Sequence, residues 1–176
     1  MLICLTGMMG CGKSSTGLEL ARRLGVPFFD LDSVIEHRAG RSIPEIFRTD
    51  GEPAFRALEM ETLQNLLDRF GEGVLALGGG TVMTPAAAEL IRNGTCCIYL
   101  KAGPDALCRR LSAGRQAERR PLLASDRQEM PLRQRIEQLL TLRDPVYADV
   151  ARHVIETDRL SPAEAAEEIR KALSPR

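Results

Sequence analysis

Short, continuously apolar runs alternate along the chain with longer stretches of helical period. Residues 2–5, Leu-Ile-Cys-Leu, read as a buried strand. Residues 15–24 read as a helix with Leu18, Ala21 and Leu24 on one face, stopped by Gly25-Val26-Pro27. Phe28-Phe29 is a second apolar run; it ends in Asp30-Leu31-Asp32 and a helix through Ile35. A short helix follows around 44–47 and a strong one over 53–70, ended by Gly71-Glu72-Gly73. Residues 74–77 give a third strand, followed by Gly78-Gly79-Gly80. Thr84 as N-cap with Pro85 at N1 opens a helix to about residue 92. Residues 96–100 give a fourth strand, and Gly103-Pro104 opens a helix through Leu111. A polar, arginine-rich segment over 113–130 separates this from a helix over 132–142. Residues 153–155 form the last strand. Ser161-Pro162-Ala163-Glu164 is a capping box that starts a helix to about residue 173.

Strands alternating with helices predict a five-stranded parallel sheet covered on both faces, a three-layer α/β/α fold with right-handed crossovers. Ligands of such sheets bind at the carboxyl ends of the strands. At 176 residues the chain is expected to be one domain, 1–176. Its 24 basic and 24 acidic side chains cancel, so no global field draws it to nucleic acid or an anionic membrane. The absence of Trp argues against base-stacking platforms. Five cysteines form no C-x-x-C pair, and no leader or membrane-spanning run is legible; a reducing cytoplasm is expected. Cys4, Cys96 and Cys97 read as core filling. His37 and His153 have no partner pattern.

Chemistry concentrates at three strand ends. Gly7-Met8-Met9-Gly10-Cys11-Gly12-Lys13-Ser14 has the spacing G-x-x-x-x-G-K-[ST], between a strand and a helix, of the nucleotide-binding P-loop. Its glycines let successive N–H groups turn inward, and the following helix adds its positive end to the same anion site. Lys13 can reach the β- and γ-phosphates, and the Ser14 hydroxyl can bind Mg²⁺. Cys11 reads either as a small residue tolerated in the loop or as a thiol whose pKa a helix N-terminus could lower. After the second strand, Asp30 and Asp32 have period-two spacing, which in a strand end places them on one face. One can order Mg²⁺ through water and the other can point to an acceptor hydroxyl; a helix N-cap is the plainer reading of the pair. After the third strand, three consecutive glycines suggest backbone approached closely by a ligand.

Two helices carry charge where the core should be. On the 53–70 helix, Phe55, Leu58, Leu63, Leu66, Leu67 and Phe70 form one broad face, with Glu59 near its middle and Arg56 at its edge, three residues away. On the 132–142 helix, Arg143 projects from the stripe of Ile136, Leu139 and Leu140. Either these charges lock helices together, or they line a cleft and present guanidinium forks to an anionic substrate. Arg115, Arg119, Arg120 and Arg127 mark the 113–130 segment as a candidate lid that excludes water and adds an arginine to the transferring phosphate.

Together these segments resemble the shikimate kinase family. The likeness is carried by the P-loop, by Phe29-Asp30-Leu31-Asp32, and by Ser42-Ile43-Pro44-Glu45-Ile46-Phe47 with Gly51-Glu52 and Phe55-Arg56-x-x-Glu59. Leu77-Gly78-Gly79-Gly80, Arg120-Pro121-Leu122-Leu123 and Arg143-x-Pro145-x-Tyr147 complete it. The resemblance implies a P-loop kinase fold with a mobile lid at about 112–125 and ATP-dependent phosphorylation of shikimate to shikimate 3-phosphate, in aromatic amino acid biosynthesis. It implies Gly10, Cys11, Gly12, Lys13, Ser14 and Ser15 at the nucleotide, with Arg120 from the lid. Arg110 and the 157–162 stretch, including Arg159, would border adenine. Ser14 and Asp30 would hold Mg²⁺. Asp32 would bind the acceptor hydroxyl and act as base; Arg56 and Arg143 would clamp the carboxylate beside Gly78, Gly79 and Gly80. Lys13, Asp32 and Arg120 would be catalytic. A monomer is expected. A gluconate-type kinase and a non-catalytic nucleotide-binding module are the alternatives; Lys13, Ser14 and Asp32 all stand against the latter.

Overall fold

A computed structural model describes residues 1–113 and 130–174. Five parallel strands, β1 (Leu2–Thr6), β2 (Phe28–Asp30), β3 (Gly73–Ala76), β4 (Cys96–Lys101) and β5 (His153–Glu156), form one sheet in the order β2-β3-β1-β4-β5. β1, β3 and the first five residues of β4 are buried, as their unbroken apolar runs require. β1 pairs with β3 (Cys4 beside Leu75) and with β4 (Cys4 beside Cys97). It is therefore central, and the loops leaving β1 and β3 meet at one end of the sheet. The chain steps from β1 outward to β2, and then across β1 from β3 to β4. That reversal opens the crevice in which such sheets bind ligands.

Helices cover both faces. α1 (Lys13–Leu24) packs against α8 (Pro162–Leu173); α7 (Leu132–Val150) packs against α5 (Pro85–Gly94) and α6 (Pro104–Ala113). α2 (Leu31–Ala39), α3 (Ile43–Thr49) and α4 (Gly51–Arg69) pack together, with α2 next to β2. The capping box at Ser161 and Glu164 is formed, with Pro162 at N1. Thr84 takes the N-cap position of α5, but its side chain makes no capping bond. Cys4, Cys96 and Cys97 lie in the core, and all five cysteines are free.

Three expectations are corrected. The inner face of α1 is Thr16, Gly17, Leu20 and Ala21, and Leu18 is 59% exposed and Leu24 37%. Gly17 sets that orientation: a Cβ there would lie 2.6 Å from the Phe28 ring and 3.1 Å from Leu5, so the helix closes on the sheet through its glycine. α7 runs on past residue 142 to Val150, carrying Pro145 inside it. Its packing against α5, α6 and β4 outweighs the missing proline N–H. Asp30 and Asp32 do not alternate along a strand. Asp30 ends β2 and caps α2, accepting from the Ser33 N–H at 3.3 Å, and Asp32 lies in the first turn of α2. The candidate lid, with Arg115, Arg119, Arg120 and Arg127, lies outside the described residues.

Candidate active site

The phosphate loop turns between β1 and α1. Gly7 has φ +138°, and a Cβ on it would come within 2.5 Å of the Leu100 carbonyl oxygen, so only glycine lets the loop lie against β4. Gly12, at φ 101°, is the N-cap of α1 and supplies no capping side chain; the first turn carries no acidic residue. The first N–H groups of α1 are thus left to an anion. Lys13 is 8% exposed, and its ammonium donates to the carbonyls of Gly7 at 2.8 Å and Met8 at 3.1 Å, within 3.9 Å of the Cys11 sulfur. The loop's positive group is thereby held at its centre. Ser14 follows, and its hydroxyl donates to Asp30 Oδ2 at 2.5 Å. This contact joins the two residues expected at Mg²⁺, so Asp30 both caps α2 and touches the phosphate loop.

The second half of the site is built round the turn after β3. None of Gly78, Gly79 and Gly80 has a positive φ, so their glycines serve space rather than backbone freedom. A Cβ on Gly78 would lie 2.8 Å from Asp32 Oδ1, 2.9 Å from Thr81 Oγ1 and 3.2 Å from Glu59 Oε1. One on Gly79 would lie 3.6 Å from the Met9 backbone nitrogen and 3.8 Å from Arg143 Nη1. One on Gly80 would lie 2.9 Å from Arg56 Nη2. The turn therefore brings Asp32, Arg56, Glu59 and Arg143 together, within contact of the phosphate loop. Gly80→Ala should fold, because the guanidinium can move aside. It should lower kcat/KM for the acceptor about tenfold, short of the roughly 10²-fold that an ångström of misplacement can cost. Steady-state kinetics with each substrate varied in turn checks this, and the KM for ATP should not move.

The charges on the apolar face of α4 are paired. Glu59 is 3% exposed; its Oε2 accepts from Arg56 Nη1 at 2.7 Å and its Oε1 from the Thr81 hydroxyl at 2.7 Å. Arg56 also donates to Glu52 Oε1, from Nε at 3.3 Å and Nη2 at 3.1 Å. Burial works against the Arg56 charge, and the bonds to Glu59 and Glu52 outweigh it, holding the guanidinium above its ordinary pKa. Arg143 is 8% exposed and donates to the Gly79 carbonyl at 3.1 Å; the Tyr147 hydroxyl, one helical turn on, donates to the same oxygen. Burial pushes the Tyr147 phenol up to about 12, which keeps it a donor.

At the nucleotide end, Arg110 donates to the carbonyls of Cys11 and Thr157. The buried Thr157 hydroxyl bonds to the carbonyls of Cys11 at 3.3 Å and Lys101 at 3.1 Å. Arg159 is exposed in the turn after β5. Arg110 and the loop after β5 therefore brace the phosphate loop from the side. Thr81 carries no anomaly that a sequence reading could detect; Glu52 and Thr157 fall in segments the resemblance names, but their contacts with Arg56 and with the Cys11 carbonyl are visible only in the fold. Tyr147 is legible, since four-residue spacing from Arg143 puts it on the same helix face.

The fold and the phosphate loop define a P-loop phosphotransferase, with Asp32, Arg56, Glu59 and Arg143 gathered at the turn beside that loop. Residues 9–174 match the family model described as shikimate kinase. A shikimate kinase of Ralstonia nicotianae is 41% identical over 162 residues, 92% of this chain and 81% of that protein. One of Thioalkalivibrio sulfidiphilus is 42% identical over 167 residues, 95% and 84% of the two chains. The structure of the shikimate kinase from Acinetobacter baumannii in complex with shikimate has a TM-score of 0.89 and 34% identity, covering 98% of this chain and 92% of that one. The chain belongs to the shikimate kinase family. It is a phosphotransferase that uses ATP and Mg²⁺ to convert shikimate to shikimate 3-phosphate, which sets aside the gluconate-type and non-catalytic readings.

Proposed function

We propose that the turn at Gly78, Gly79 and Gly80 is where the two substrates meet, and that the residues round it divide the work. The observation that carries this is the convergence of Asp32, Arg56 and Arg143 on a turn that also touches the phosphate loop at Met9. Lys13 and the first N–H groups of α1 hold the β- and γ-phosphates and draw off charge during transfer. Arg56 and Arg143 take the carboxylate of shikimate, Arg56 from α4 and Arg143 from α7. Asp32, across Gly78 from Glu59, receives the acceptor hydroxyl and takes its proton as the oxygen attacks. Arg110 has its donor edge tied to Cys11 and Thr157, which leaves its planar face for adenine, with Arg159 beside it. Gly10, Cys11, Gly12 and Ser15 complete the nucleotide contacts. Arg120, from a lid over 112–125, adds a further charge at the phosphates.

The residues present fit Mg²⁺. The hydroxyl of Ser14 and the carboxylate of Asp30 are hard oxygen donors already in contact. No group of three or more His, Cys, Asp or Glu that could cage a metal occurs among the described residues, so an ion here would take its remaining ligands from phosphate oxygens and water. An ion held there would supply charge neutralisation at the phosphates. Ser14 would bind it directly and Asp30 through water. Asp30→Asn should therefore raise the Mg²⁺ concentration for half-maximal rate about 10–100-fold, with the KM for shikimate little changed. Titration of initial rate with Mg²⁺ at fixed ATP checks this. An unchanged requirement would leave Asp30 with only its capping role.

The protein works as a single domain, 1–176, and as a monomer in the cytoplasm, without nucleic acid or membrane. The balanced charge supports the reading without nucleic acid or an anionic membrane; no helix among the described residues is long and apolar enough to cross a membrane.

A further inference from the structure

We propose that Glu52 is an internal competitor for the substrate carboxylate, occupying the edge of Arg56 that the acid must use. A guanidinium offers a carboxylate two forked edges. The side edge of Arg56, Nε with Nη2, is taken by one oxygen of Glu52 at 3.3 and 3.1 Å. The end edge, Nη1 with Nη2, faces Gly80, the two nitrogens lying 3.2 and 2.9 Å from where a Cβ would stand on that residue. Nη1 also donates to the buried Glu59. With Glu52 in place the side edge is filled, and the end edge is turned to Gly80 with one nitrogen held by Glu59.

The two carboxylates on Arg56 differ in kind. Glu59 is almost fully buried and fixed by Thr81 as well, so it has nowhere to go. The Glu52 side chain is 56% exposed, in the first turn of α4, and can swing into solvent. Asp32, Glu52 and Glu59 already outnumber Arg56 and Arg143 at the turn. An arriving carboxylate would add a fourth negative charge unless Glu52 withdraws. Glu52 therefore holds the fork filled in the free enzyme and gives it up to the acid. The apparent affinity for the acid is lowered by the fraction of molecules in which Glu52 is bound. Exposed pairs of this kind are weak, which makes the exchange small and reversible.

The inference rests on Arg56 being the carboxylate clamp. Shikimate binding to the full chain is measured by calorimetry, and kcat/KM for shikimate by a coupled assay. Glu52→Gln removes the charge; Glu52→Asp keeps it for the α4 N-terminus but shortens its reach. Both should bind shikimate about two- to fivefold more tightly than the parent, as expected from the strength of an exposed pair. The KM for ATP should be unchanged. In an Arg56→Ala background, Glu52→Gln should leave kcat/KM for shikimate where it was. Unchanged affinity in both variants overturns the proposal, and weaker affinity makes Glu52 a support for Arg56 instead. Equal tightening with and without Arg56 also overturns it, since only general charge repulsion would then be at work. Should Arg56→Ala alone leave shikimate affinity intact, the clamp itself is wrong, an outcome distinct from the other three.

Discussion

Lys13→Ala is expected to lower kcat by about 10²–10³, the scale lost when one preorganised donor to a developing charge is removed. The ammonium sits where that loss falls on the chemical step. It is almost fully buried and anchored to the carbonyls of Gly7 and Met8, so it is aimed before any phosphate arrives. The first turn of α1 brings its N–H groups to the same place, with neither an acidic side chain nor a capping side chain among them. Without Lys13 these backbone groups still bind phosphate, and ATP affinity should fall less than turnover. The substitution also leaves the two loop carbonyls without their charged donor, which costs stability of about 1–3 kcal/mol per bond. Lys13→Met keeps the stem and removes only the charge. If it unfolds near the parent temperature and is still stabilised by ATP, its loss of turnover is chemical. Near-normal turnover in Lys13→Met would reject the role assigned to the ammonium.

What the sequence disclosed was local, and what it concealed was three-dimensional. The phosphate loop is legible because all of its donors come from consecutive residues. The charges of α4 are legible because helical period alone puts Glu59 inside an apolar face, and Glu59 is buried and paired with Arg56 as that position requires. The same arithmetic misplaced the inner face of α1, because Gly17 has no side chain to count, yet it is where the helix approaches Phe28 and Leu5 most closely. It also stopped α7 too early; Pro145 is tolerated because the helix is held by packing against α5, α6 and β4, and Arg143 and Tyr147, on either side of it, are tied to the Gly79 carbonyl. Asp30 could be read as a cap or as a metal residue; the fold shows the cap, and it adds a contact with Ser14 that helical period could not have placed. Thr81 and Thr157 are ordinary in composition and period. Their hydroxyls matter because the fold sets one against Glu59 and the other against the Cys11 carbonyl.

Arg56→Ala should weaken shikimate binding by about 2–5 kcal/mol, the range found when one member of a buried hydrogen-bonded charge pair is truncated. The affinity for ATP should change little, since Arg56 faces Gly80 and not the phosphate loop. The variant should also lose stability, for a separate reason. Glu59 is 3% exposed, and without Arg56 its charge keeps only the Thr81 hydroxyl. Stranding a buried charge costs about 3–5 kcal/mol, toward the lower end here because Arg56 itself is partly exposed. The two losses can be separated. In Arg56→Ala/Glu59→Gln the stranded charge is gone and the amide can still accept from Thr81, so most of the stability should return. Shikimate binding should not return, because the fork is still missing. Thermal unfolding and calorimetric titration of the same samples read the two effects independently. Recovery of both would show that Arg56 serves only to neutralise Glu59, and the acid would then be held by Arg143 alone.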